Sequence, residues 1–109
     1  MKGNRVVVTG MGAVTPLGLD VDSSWAGICD GRSGAAAIEQ FDAAAFSTRF
    51  SASVKNFNVE GYLEARDARR MDPFVQYGIV AGIQAFRDSG FEVTEANAAR
   101  IGCAIGSGI

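Results

Sequence analysis

The sequence predicts an α/β domain built on a mixed sheet, with parallel buried strands near residues 5–9 and 101–106 and covering helices. Three observations predict it. Arg5-Val6-Val7-Val8-Thr9 is β-branched and apolar on both faces, as a central parallel strand requires. Ile101 to Gly106 places Ile101, Cys103 and Ile105 on one face and Gly102, Ala104 and Gly106 on the other. Helical patterns fill the interval, so the two strands should run parallel through a right-handed crossover.

Each element in between has a local reason. Gly10 and Gly12 permit a tight exit from the first strand. Asp20 is a candidate N-cap for a helix over 21–30, with Gly31 as its stop. Trp25, Ile28 and Cys29 share one face of that helix, because positions three and four apart are neighbours. From Arg32 to Asn58 small residues alternate with Phe41, Phe46, Phe50 and Phe57 without a 3.6-residue period, which predicts short irregular strands and loops. Glu60 to Met71 is charged and predicts a short exposed helix.

Asp72-Pro73 marks a helix start, with Asp as N-cap and Pro where its missing N–H costs nothing. That helix should run to about Ser89 and stop at Gly90, with Val75, Ile79, Ile83 and Phe86 as its apolar stripe. Gly78 and Gly82 lie one turn apart beside Ala81 and Ala85. Each glycine costs about 1 kcal/mol of helix propensity against alanine. The cost is understandable if this small face admits another backbone closely. Thr94 caps a further helical turn before the last strand.

Composition narrows the chemistry. The chain has 109 residues, is 48% hydrophobic and carries a net charge of −2. One domain, or part of one, fits this length. The charge argues against nucleic-acid binding, which needs an excess of Lys and Arg. No stretch is long and apolar enough for a signal peptide or a membrane helix. Two cysteines point to a reducing compartment, and the expected location is cytoplasmic. There is no histidine, which removes the commonest general base and metal ligand. Cys29 and Cys103 lack a cationic neighbour or helix N-terminus and read as core fillers. No catalytic residue, metal site or cofactor is expected in this chain.

A nicotinamide-dinucleotide fingerprint matches only partly. Gly10 and Gly12 fit, but Thr15 stands where the third glycine belongs, and no acidic residue ends a strand about 20 residues on. An NAD-dependent reductase fragment is therefore a remote alternative. Arg66, Arg69 and Arg70 are spaced to face one direction. Such a cluster serves either as a solvated face partnered by Glu64 and Asp67 or as a docking patch for an acidic or phosphorylated partner.

Taken together, Arg5 to Gly12, Gly31-Arg32-Ser33-Gly34, Arg70-Met71-Asp72-Pro73-Phe74-Val75-Gln76-Tyr77 and Ala104 to Ile109 resemble the N-terminal part of the β-ketoacyl-[acyl-carrier-protein] synthases. These are the condensing enzymes of fatty-acid synthesis, and the likeness is greatest to the bacterial type II enzyme. The resemblance implies an N-terminal fragment of a thiolase-like fold, residues 1–109 forming an incomplete domain. It implies an acyltransferase that joins an acyl thioester to malonyl-carrier protein, giving 3-oxoacyl-carrier protein and carbon dioxide. The family's nucleophilic cysteine and two histidines would lie beyond Ile109, so the 109-residue piece itself is expected to be inactive. Arg66, Arg69 and Arg70 coincide with the family's docking patch for the acidic acyl carrier protein. Ile109, with Gly108 beside it, coincides with the family's acyl pocket, where Ile109 helps gate chain entry. A homodimer, no cofactor, no nucleic acid and no membrane are the further implications. The alternative is a non-catalytic carrier-binding module, akin to a chain-length factor.

Overall fold

The computed structural model describes residues 3–108 and divides into two compact units. One is Ala13–Asn58; the other joins the stretch up to Gly12 with the chain from Val59 onward.

The Ala13–Asn58 unit begins with a tight turn. Thr15 N–H donates to Gly18 O at 2.8 Å, and Gly18 N–H returns to Thr15 O at 3.3 Å. Helix α1, Val21–Cys29, follows. Its start is the predicted one: Asp20 is extended, and its carboxylate accepts from Ser23 N–H at 2.7 Å and from the Ser23 hydroxyl at 2.5 Å. Its end is equally local. Gly31 adopts φ +67°, its N–H donates to Ile28 O, and Arg32 N–H donates to Gly27 O at 2.9 Å. This is the paired carbonyl-capping pattern that a left-handed residue makes possible.

The face carrying Trp25, Ile28 and Cys29 is exposed, Trp25 to 63%. The helix instead buries Ser24 and Gly27. Ser24 Oγ lies 2.8 Å from Thr15 Oγ1, and a Cβ on Gly27 would sit 3.1 Å from Leu17. Small residues let the helix settle onto the turn, and this decides which side is covered. Beyond α1, strands β1 (Ala36–Ala37) and β2 (Phe50–Ser51) pair antiparallel, Ala36 opposite Ser51 and Ala37 opposite Phe50. Phe41 and Phe46 meet edge to face at 5.7 Å between them. The irregular reading of 32–58 is borne out.

The Asp20 cap gives a pH-dependent expectation. The Ser23 hydroxyl, then the Ser23 N–H, hold the Asp20 carboxyl below its ordinary value of 3.8. A lowered folded-state pKa stabilises above the unfolded value, and that stability is lost as pH falls through the folded one. Asp20→Ala should therefore cost about 1 kcal/mol at neutral pH, the usual worth of a cap. Urea unfolding of both forms checks this: the difference should shrink as the pH is taken below 3.8. A difference independent of pH would exclude the ionised cap.

In the second unit, α2 spans Ala65–Ala68 and α3 spans Pro73–Asp88. Asp72 stands at the N-cap of α3 as expected, though its carboxylate makes no capping hydrogen bond. Gly90, at φ +63°, ends the helix, and a 3-10 turn over Ala98–Arg100 follows Thr94. Thr94 O accepts from Ala98 N–H at 2.9 Å.

Two glycine contacts organise this unit. A backbone comes close to α3 at Ala81 and Ala85 rather than at the two glycines: Gly10 and Gly12 lie so close that a Cβ on either would collide with the Ala85 or Ala81 carbonyl oxygen. Met11 N–H donates to Asp88 Oδ2 at 2.9 Å alongside. Gly78 and Gly82 receive a side chain instead. Ile105 would lie 3.4 and 3.5 Å from Cβ atoms placed there. Among the described residues Val80, outside the predicted stripe, is the most buried side chain, at 2%.

The two long strands depart from expectation. Among the described residues, 5–9 and 101–106 form no sheet ladder, and the sheet present is the β1–β2 pair. Val6 is 93% exposed and Ile105 60%. Cys103, read as a core residue, is exposed, as is Cys29. The physical reason is that a strand exists through its neighbours. Two isolated strands gain too little to pair without further strands or a covering layer.

Candidate functional site

The arginine cluster stands on α2 and the turn after it. Arg66 lies within the helix, Arg69 is its C-cap and Arg70 follows; all three are exposed. Arg66 Nε is 3.6 Å from Asp67 Oδ1, so one of the expected acidic partners is engaged. Glu64 takes the N-cap position without a side-chain capping bond. Arg69 Nε donates to Ala65 O at 3.2 Å, which lays its guanidinium stem along the helix. Ala68, 7% exposed, is the contact that α2 buries.

This short helix is held from α3. The Gln76 side-chain amide donates to Ala68 O and to Met71 O, each at 2.9 Å. Both neighbours are carbonyl oxygens, so only the NH2 end of the amide suits the position. Upstream, Arg87 Nη2 donates to Gly61 O at 3.0 Å, and its guanidinium carbon lies 5.1 Å from the centre of the Tyr62 ring. Sequence reading gave Gln76 and Arg87 no role. A polar residue among apolar ones in the first turns of α3 was the available signal.

Gly108, read as lining an acyl pocket, is exposed, and a Cβ there would meet nothing within 4 Å. Ile109 lies outside the described residues. Immediately upstream, Ile105, Gly106 and Ser107 line an apolar cleft of about 250 Å³ with Phe74, Val75, Gly78 and Ile79. Gly78 lies against Ile105 here, and a Cβ in its place would make an ordinary contact at 3.4 Å. The cleft has no titratable side chain, so it is suited to hydrocarbon rather than to proton transfer.

Other chemistry is sparse. Among the described residues no group of His, Cys, Asp or Glu is placed to hold a metal ion. A cleft of about 500 Å³ in the Ala13–Asn58 unit contains Arg32 and Lys55. Their charges already meet oxygens of the chain: Lys55 Nζ donates to Gly34 O at 2.7 Å, and Arg32 Nε is 3.6 Å from Asp30. Among the described residues no helix is long and apolar enough to cross a membrane.

The family model for the beta-ketoacyl synthase N-terminal domain matches residues 3–109. The chain is 59% identical over its whole length to a 3-oxoacyl-[acyl-carrier-protein] synthase 2 of Vibrio harveyi and 60% to one of Vibrio cholerae serotype O1. A protein of the same name from Coxiella burnetii is 44% identical over 109 residues. In each case the alignment covers all of this chain and 26% of the relative, so the chain spans about a quarter of their length. A match that runs from residue 3 to residue 109 leaves no room for another assignment of this stretch: the chain belongs to the beta-ketoacyl synthase N-terminal domain family.

Proposed function

We propose that this chain is the N-terminal portion of a longer type II β-ketoacyl synthase of fatty-acid elongation. The observation that carries the reading is identity of 59–60% along the entire chain to two proteins named 3-oxoacyl-[acyl-carrier-protein] synthase 2. The longer protein takes an acyl group onto a cysteine outside these 109 residues. It then joins that acyl group to the α-carbon that malonyl-carrier protein keeps, left nucleophilic as carbon dioxide departs, and the cysteine sulfur leaves as thiolate. The new carbon–carbon bond leaves the product, lengthened by two carbons, on the carrier. Nucleophile and oxyanion-stabilising groups are separate side chains in such chemistry, and this chain supplies neither.

Its contribution is positional. Arg66, Arg69 and Arg70 form the docking face for acyl carrier protein, and their exposure suits long-range attraction of an acidic partner. Gly108 and Ile109 belong to the wall of the acyl pocket. The apolar cleft ending at Ser107 supports this by bringing hydrocarbon-lined space to the residue before Gly108. In the longer protein 5–9 and 101–106 become neighbouring parallel strands of a thiolase-like mixed sheet, and residues 1–109 are an incomplete domain within it. That sheet and its covering layers account for the apolar residues exposed here, Val6 and Val8 among them. The working protein is a cytoplasmic homodimer.

A labelled acyl-transfer assay tests the assignment. The full-length protein should become acylated and extend the chain on addition of malonyl-carrier protein, while residues 1–109 alone should take no label. Label on Cys29 or Cys103 of the short chain, or none on the full-length protein, would reject it.

A further inference from the structure

We infer that Gln76 is a positioning residue for carrier docking: its side-chain amide, bonded to Ala68 O and Met71 O at 2.9 Å each, fixes the backbone from which Arg69 and Arg70 project. The inference rests on the carrier-docking reading and adds to it the element that holds the patch in place.

The need for such a brace follows from length. Helix α2 has four residues, far fewer than a helix requires to persist by itself. Its last carbonyls are met by donors at or beyond its C-cap, Ala65 O by Arg69 N–H at 3.3 Å and Asp67 O by Arg70 N–H at 3.0 Å, so its order depends on the turn that follows. Gln76 sits near the start of α3, where its own N–H bonds Asp72 O at 3.2 Å, so its backbone is anchored in a sixteen-residue helix. From there one NH2 group reaches two acceptors that flank Arg69 and Arg70 in sequence and ties them to α3. Ala68 O also accepts from Met71 N–H at 3.1 Å, which closes the intervening turn around both arginines. Long arginine side chains lose conformational freedom when they meet a partner, and a fixed backbone limits how much more must be ordered. Losing Gln76 leaves the three charges present and lets the turn that carries two of them wander.

The measurement is the KM of the full-length protein for a carrier-linked acyl substrate against that for a small acyl thioester. Gln76→Met keeps the length and unbranched shape of the side chain and removes both donors; Gln76→Ala removes the side chain. Both should raise KM for the carrier-linked substrate about three- to tenfold, the range expected for one or two lost hydrogen bonds. Both should leave kcat, and KM for the small thioester, within about twofold. Added to Arg69→Ala/Arg70→Ala, Gln76→Met should change the carrier KM no further, because the groups it positions are gone. Three results overturn the inference: equal effects on both substrates, no effect on either, or failure of both variants to fold, which would assign Gln76 to stability. If Arg69→Ala/Arg70→Ala itself leaves the carrier KM unchanged, the docking reading fails and the inference falls with it. If that change raises KM and the Gln76 variants do not, docking stands and only the positioning role is lost.

Discussion

Gly12→Ala should unfold or insolubilise the protein, while Gly3→Ala should be silent. A Cβ on Gly12 would strike Ala81 O and lie 2.8 Å from both Ala85 N and Gln84 Cβ. None of these is the free end of a flexible side chain. Ala81 and Ala85 contribute main-chain atoms of α3, and the neighbouring Ala85 carbonyl at Gly10 already accepts from Ser89 N–H at 3.0 Å. Relief would require withdrawing the whole 10–12 segment and breaking the 2.9 Å bond from Met11 N–H to Asp88. Overpacking where side chains can yield costs about 1–3 kcal/mol, and main chain against main chain belongs at or above the top of that range. A loss of about 3 kcal/mol or more is a large share of a typical domain's stability. Gly3, with nothing within 4 Å, should change stability by less than about 0.5 kcal/mol. Urea unfolding and soluble yield of the full-length variants report both. Equal behaviour of the two would mean that this approach to α3 does not persist in the full-length protein.

That contact also marks the boundary of what the residues alone disclose. Helix ends were legible because their causes are local. Asp20 acts on Ser23 and Gly31 on Ile28, each three residues away, and Gly90 does the same for Arg87. The small face of α3 was legible as a face; its occupants were not. Gly10 and Gly12 press on Ala81 and Ala85, whereas Gly78 and Gly82 take the Ile105 side chain. Sequence spacing shows that something must come close but carries no record of what. Strands are the extreme case. Three valines in a row announce a strand covered on both faces, yet Val6, Val7 and Val8 are exposed here, because ladder and cover must come from distant chain. At the candidate site the arginines were visible as a charge cluster. Gln76 was not, since its bonds to Ala68 and Met71 cross between helices.

Replacing Arg66, Arg69 and Arg70 together with alanine should raise KM for carrier-linked substrate about 10- to 100-fold, with little change for a small thioester. Each exposed charge facing an acidic partner contributes about 0.5–1 kcal/mol, and three of them accumulate to that range. Arg66 should matter least. Asp67 lies 3.6 Å from its guanidinium and offsets part of its charge before any partner arrives. Arg69 is pinned along α2 by its bond to Ala65 O, which orders its stem in advance, and Arg69→Ala should therefore exceed Arg66→Ala. Salt supplies the independent check. Exposed charges are screened beyond about 10 Å at 0.1 M ionic strength, so raising salt should lift the carrier KM of the wild type steeply. The triple variant, already without the attraction, should respond much less. Parallel salt curves, or equal KM changes for carrier-linked and small substrates, would remove these arginines from docking and return them to an ordinary solvated face.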